Sequence, residues 1–130
     1  MKTASLELLA PRDDVWAFLA EPYHLADWWP GITGVDPDVR GFAPGARWKV
    51  HALARNPFTG RRRVETMLLI QAIEPYERWS WHLLAPKTDV EVRLRAVAPE
   101  RTLVTVTASR GSAAEAVRRL FDLVQTAATI

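Results

Sequence analysis

Apolar and polar residues alternate through most of this chain, and the alternation predicts strands. Residues 3–9 put Ala4, Leu6 and Leu8 on one face. Residues 46–54 set Ala46, Trp48, Val50 and Ala52 against Arg47, Lys49 and His51. Residues 62–73 read as a longer strand, and 78–84 set Trp79, Trp81 and Leu83 against Arg78, Ser80 and His82. The same two-sided pattern recurs over 90–96 and 102–108. Residues 35–40, broken by Pro37, predict only an edge strand. One apolar and one charged face per strand is the signature of an antiparallel sheet covered on a single side.

Three segments break the alternation. Val15, Phe18 and Leu19 form an i, i+3, i+4 stripe with Trp16 at its edge. Pro11 suits the first turn of that helix, where its missing N–H costs nothing, and Pro22 ends it. Residues 23–28 predict a second short helix, stopped by Pro30-Gly31. Ser112-Ala113-Ala114-Glu115 has the spacing of a capping box and opens a last helix. That helix carries Leu120 and Val124 on its apolar face and, on the opposite face, Glu115 and Arg118 each four residues before an opposite charge. At ~1.5 Å per residue it would run about 27 Å, enough to cross a sheet.

The chain's 130 residues predict a single domain, 1–130, with a core that needs no staples. No cysteine is present, which removes disulfides, thiolate metal sites and cysteine nucleophiles. The apolar run near the N-terminus is short and interrupted by Glu7, so it does not read as a signal peptide. No window approaches the ~18 apolar residues of a membrane span. A cytoplasmic location is the default expectation. The net charge of +2 is too small to be a nucleic-acid footprint.

Two stretches resemble a known family. Pro11, Val15-Trp16, Leu19, Pro22 and Trp28-Trp29-Pro30-Gly31 resemble the opening of the START-like, or SRPBCC, superfamily. Ala72-Ile73-Glu74-Pro75-Tyr76-Glu77-Arg78-Trp79-Ser80-Trp81 resembles a hairpin of its polyketide cyclase/dehydrase branch, with Tyr76 and Trp79 where proline and leucine are commoner. The resemblance implies an α+β helix-grip fold: a seven-stranded antiparallel sheet, two short helices and a long C-terminal helix over an apolar cavity. That superfamily shares no catalytic residue, so none is carried over.

Successive hairpins of an antiparallel meander fall at alternate ends of the sheet. Turns at 42–45, 74–77 and 98–101 share one end; turns at 55–60 and 85–88 share the other. The resemblance implies that 29–34 and 109–112 join that second end as the cavity mouth. Strand parity then assigns the cavity wall to Trp48, Val50, Trp79, Trp81, Leu83, Val92 and Val106. Leu120 and Phe121 join from the last helix, and Trp29 stands at the mouth. The rim is assigned to Arg55, Phe58, Arg61, Arg63, Lys87 and Arg110, opposed by Asp89 alone. Such a site suits a small hydrophobic or amphipathic molecule with an anionic end.

Other readings stay open. The tryptophans either line this cavity or fill it as core, and Trp28 reads as a lock between the short helices and the sheet. A cyclase/dehydratase-type enzyme would use His24, Asp27 or Thr66 for proton transfer. A partner-binding module would use the outer sheet face or the Phe58 hairpin. His51 and His82 fall on the outer, solvated face. No metal-ligand spacing, Gly-rich phosphate loop or nucleophilic triad is visible, so no cofactor, metal or nucleic acid is expected. The oligomeric state is left open.

Overall fold

A computed structural model describes residues 1–56, 58 and 60–128, with side chains except those of 54–56, 61 and 125–128. Its strands are β1 (Lys2–Leu8), β2 (Ile32–Asp36), β3 (Arg47–Asn56), β4 (Gly60–Glu74), β5 (Arg78–Leu83), β6 (Thr88–Ala98) and β7 (Arg101–Ala108). They make one seven-stranded sheet in the order β1-β7-β6-β5-β4-β3-β2, antiparallel throughout. Helix α1 (Arg12–Ala20) follows β1, and a 3-10 turn (Pro22–His24) leads into the one-turn helix α2 (Leu25–Trp28). Helix α3 (Ala113–Ala128) closes the fold. This is the helix-grip arrangement that the sequence resemblance implied.

Period-two patterning is realised strand by strand. Trp48, Val50, Trp79, Trp81, Val92, Val104 and Val106 are all fully buried. The opposite parity carries ion pairs, among them Lys49–Glu65 at 3.2 Å and Arg78–Glu74 at 2.9 Å. Helix α3 packs on β1, β7 and α2, with Ala113, Ala116, Val117, Leu120 and Val124 buried. Each apolar side chain taken out of water contributes roughly 1.5–3 kcal/mol, which fixes the face that each strand turns inward.

Several local expectations are corrected. The edge strand runs Ile32–Asp36 and not 35–40. It ends at Pro37, which has no N–H to donate to a ladder, and the Asp38 carboxylate organises the following turn instead. The segment after Pro22 is a 3-10 turn before it is α-helical. The capping box is half formed: the Ser112 hydroxyl accepts from the Glu115 N–H at 3.0 Å, while the Glu115 carboxylate pairs with Arg119 at 2.7 Å. His82 is not simply solvated, since its Nδ1 lies 2.7 Å from the Asp89 carboxylate. His51 lies 3.4 Å from Asp36.

Candidate functional site

The end of the sheet that holds the β3–β4 and β5–β6 hairpins also receives the segment after α2. Trp29 to Ile32 form a turn closed by the Ile32 N–H on the Trp29 carbonyl at 3.3 Å. Pro30 presets the first central residue, and Gly31 takes φ +89, a conformation that glycine adopts without steric cost. The Leu53 N–H donates to the Gly31 carbonyl at 2.8 Å and ties this turn to β3.

An apolar notch of about 100 Å³ opens here, lined by Trp29, Ile32, Ala52, Leu83, Thr88 and Arg110 among others. Across residues 30–32 lies a wider polar groove of about 690 Å³, which the Glu115–Arg119 pair borders. The notch is smaller than the ~300–1,000 Å³ of most ligand sites. Trp29, its one aromatic lining residue, is backed by a buried aromatic cluster. Trp29 meets Trp81 edge-on at 5.2 Å between ring centroids, and Trp28 at 5.8 Å. Trp28 meets Trp79 at 6.2 Å, and Trp79 meets Trp81 at 6.1 Å. Phe42 and Trp48 extend the cluster past Trp79.

Of the expected wall, Trp48, Val50, Trp79, Trp81, Leu83, Val92, Val106 and Leu120 are buried together in one core, and Phe121 is half-buried against it. Trp29 is buried at the notch. Of the expected rim, Arg110 lines the notch, whereas Lys87 and Arg63 are exposed and do not line it. Arg63 shares the outward parity of Glu65, while Arg62 has the inward parity of Val64 and Thr66. Phe58 is exposed at the hairpin tip. The side chains of Arg55 and Arg61 lie outside the described residues. Arg110 and Lys87 have no ion pair with any described residue. The carboxylate expected to oppose them, Asp89, is engaged by His82.

Two of the candidate proton-transfer groups, His24 and Thr66, are tied up in structure. His24 Nδ1 lies 2.7 Å from the Phe18 carbonyl, and its ring stacks on Phe18 at 4.0 Å. Its partner is thus the end of α1 and not Asp27. The Thr66 hydroxyl accepts from the Ala85 N–H at 2.9 Å. Parity reasoning passed over Ile32, Ala52 and Thr88 as notch residues. The Pro30-Gly31 turn was the sequence signal that could have located the first. Trp28 was read as a lock alone, yet its indole N–H is buried without an acceptor among the described residues.

Residues 9–125 match a family model described as Activator of Hsp90 ATPase homolog 1-like protein. No curated protein matches the sequence significantly. Solved structures share the fold at low identity. A Nitrosomonas europaea protein aligns at 16% identity over 99% of this chain and 96% of its own, with a TM-score of 0.71. The di-domain ARO/CYC protein of the steffimycin biosynthetic pathway aligns at 14% identity over 99% of this chain, with a TM-score of 0.72. This chain spans only 46% of that one. A START superfamily protein from Mycobacterium smegmatis aligns at 11% identity over 97% of both chains, with a TM-score of 0.68. The fold is therefore that of the START superfamily. No described helix is long and apolar enough to cross a membrane.

Proposed function

Since the chain belongs to the activator of Hsp90 ATPase homolog 1-like family, with a START-superfamily fold, we propose that it binds a small, mainly apolar molecule with an anionic end. The ligand's body would rest against the indole of Trp29, and its charged end would meet Arg110. Lys87, and the arginines of the β3–β4 hairpin, would add to the local positive potential. The observation that carries this reading is the notch: an apolar opening lined by Trp29, with at its edge the Arg110 guanidinium, which has no ion pair with any described residue. An anion drawn to that edge gains a charge-assisted hydrogen bond while the apolar remainder leaves water.

A cyclase or dehydratase role needs a proton donor or acceptor inside the cup. The buried polar side chains among the described residues include Thr66, Thr88 and Thr102, and no carboxylate or histidine joins them. That favours binding over proton transfer.

Titration with 1-anilinonaphthalene-8-sulfonate, read by tryptophan emission, tests the proposal. A saturable change in emission, competed by a molecule that co-purifies with the chain and is identified by mass spectrometry, is the expected result. If neither this probe nor a fatty acid alters the emission, the notch is a surface dimple and the proposal fails.

A further inference from the structure

A recess of about 460 Å³ lies on the outer face of the sheet, at the end away from the notch. Four arginines line it, Arg12, Arg78, Arg93 and Arg95, together with the carboxylates Glu74 and Glu77. Arg93 and Arg95 alternate with the buried Val92 and Leu94 and so face outward, and α1 packs on β6 and β7, which sets Arg12 beside them. Arg78 and Arg93 stand directly opposite each other on β5 and β6. Like charges so placed destabilise a sheet, and here carboxylates offset them. Glu74 holds Arg78 at 2.9 Å, while Glu91 reaches Arg78 at 3.6 Å and also pairs with Arg93. Arg12 and Arg95 receive no such compensation, since neither has an ion pair with any described residue. Arg12 is also the first residue of α1, where the helix dipole disfavours a cation. Two uncompensated guanidiniums lining one recess point to an anion supplied from outside the chain.

The class of anion follows from the donors. A guanidinium offers a planar fork of N–H groups that matches carboxylate and phosphate alike. The two oxygens of a carboxylate are satisfied by one such fork, whereas the three of a phosphoryl group serve two. A double negative charge also outweighs Glu77, which lines the recess and has no ion pair with any described residue. Leu103 lies directly across from Arg95 and is half-buried in the same recess, so it gives an ester's carbon part an apolar surface. We propose that this outer-face recess binds a small organic phosphate monoester, with Arg12 and Arg95 donating to its phosphoryl oxygens. The inference is independent of the notch, which lies on the other face and at the other end of the sheet.

Phenyl phosphate and phenyl sulfate share a shape and differ in charge, about two negative charges against one at mildly alkaline pH. Both are titrated calorimetrically into the full chain at low salt, while the backbone amide resonances are followed by NMR. The expected result is binding of phenyl phosphate about fivefold tighter or more, with shifts at Arg95 and Leu103 and none from Trp29 to Ile32. Arg12→Gln and Arg95→Gln should each erase that preference. Glu77→Gln should tighten phenyl phosphate by about twofold, since it removes an opposing charge. Urea midpoints check that the variants fold; Arg95 is exposed, so Arg95→Gln decides if Arg12→Gln is unstable. Absence of binding, equal affinity for the two probes, or unaltered affinity in Arg95→Gln overturns the inference. Shifts confined to Trp29 to Ile32 overturn it too, while leaving small-molecule binding at the notch intact.

Discussion

Trp29 stands edge-on to Trp81, with ring centroids 5.2 Å apart and planes at 82°. The positive edge of one indole meets the negative face of the other, which is the favoured geometry for such a pair. On its other side Trp29 lies against Gly111, where an added Cβ would sit 3.7 Å from its ring. Trp29 therefore separates the notch from the buried rings behind it, held by a turn that one backbone hydrogen bond ties to β3.

Trp29→Ala should remove this stopper at a cost in stability. A loss of about 3–5 kcal/mol is expected for truncating a buried tryptophan. Urea unfolding should show a lower midpoint with an unchanged slope. Association of 1-anilinonaphthalene-8-sulfonate, followed by stopped flow, should become faster. An unchanged association rate would show that Trp29 does not control access.

Neutralising Arg110 and Lys87 together, each to Gln, should weaken an anionic probe by about two- to fivefold at low salt. Both side chains are exposed, so the effect should fade as salt shortens the screening length. A neutral analogue of the same shape should bind equally to both forms. Equal weakening of the charged and neutral probes would mean that the substitutions disturbed the fold and that these cations do not read charge.

Thr102→Val tests a buried link between the sheet and the segment that precedes α1. The Thr102 hydroxyl donates to the Ala10 carbonyl at 2.8 Å, and both residues are buried. The valine variant keeps the shape and strands the carbonyl, so a loss of roughly 1–3 kcal/mol is expected by chemical denaturation. A neutral result would mean that water reaches the carbonyl.

Asp38 gives the fold an acid-sensitive turn. Its carboxylate accepts from the backbone N–H groups of Arg40 at 2.9 Å, Gly41 at 3.2 Å and Arg47 at 3.0 Å. The bond from Arg47 leads in holding its pKa below the ordinary 3.8, with those from Arg40 and Gly41 adding to it. A carboxyl depressed in the folded state stabilises above its unfolded pKa, and that stability is lost as pH falls through the lower folded value. Below about pH 4, stability should therefore drop more steeply in the native chain than in Asp38→Asn. Urea midpoints between neutral and strongly acidic pH would check this; parallel curves would remove Asp38 from the acid response.

The resemblance to the START-like superfamily implied the helix-grip architecture, and the patterning of the sequence by itself determined the strands, the helices and the inward face of most strands. Those features rest on local periodicity: Trp79 and Trp81 share a face because they are two residues apart, and Leu120 and Val124 because they are four apart. Ser112 announced the start of α3 by its capping chemistry. Tertiary structure alone decided what lines the notch. Register shifts at Ile32/Gly34 and Ile70/Ala72 reset parity, and no local pattern marks them. Arg110 reaches the notch while Arg63 faces outward, because rim position depends on how distant loops meet. The three unpaired indoles were equally invisible in the sequence. Whether a buried N–H finds an acceptor is set by carbonyls far away along the chain: Gly41 supplies one to Trp48, and no described residue supplies one to Trp28, Trp79 or Trp81.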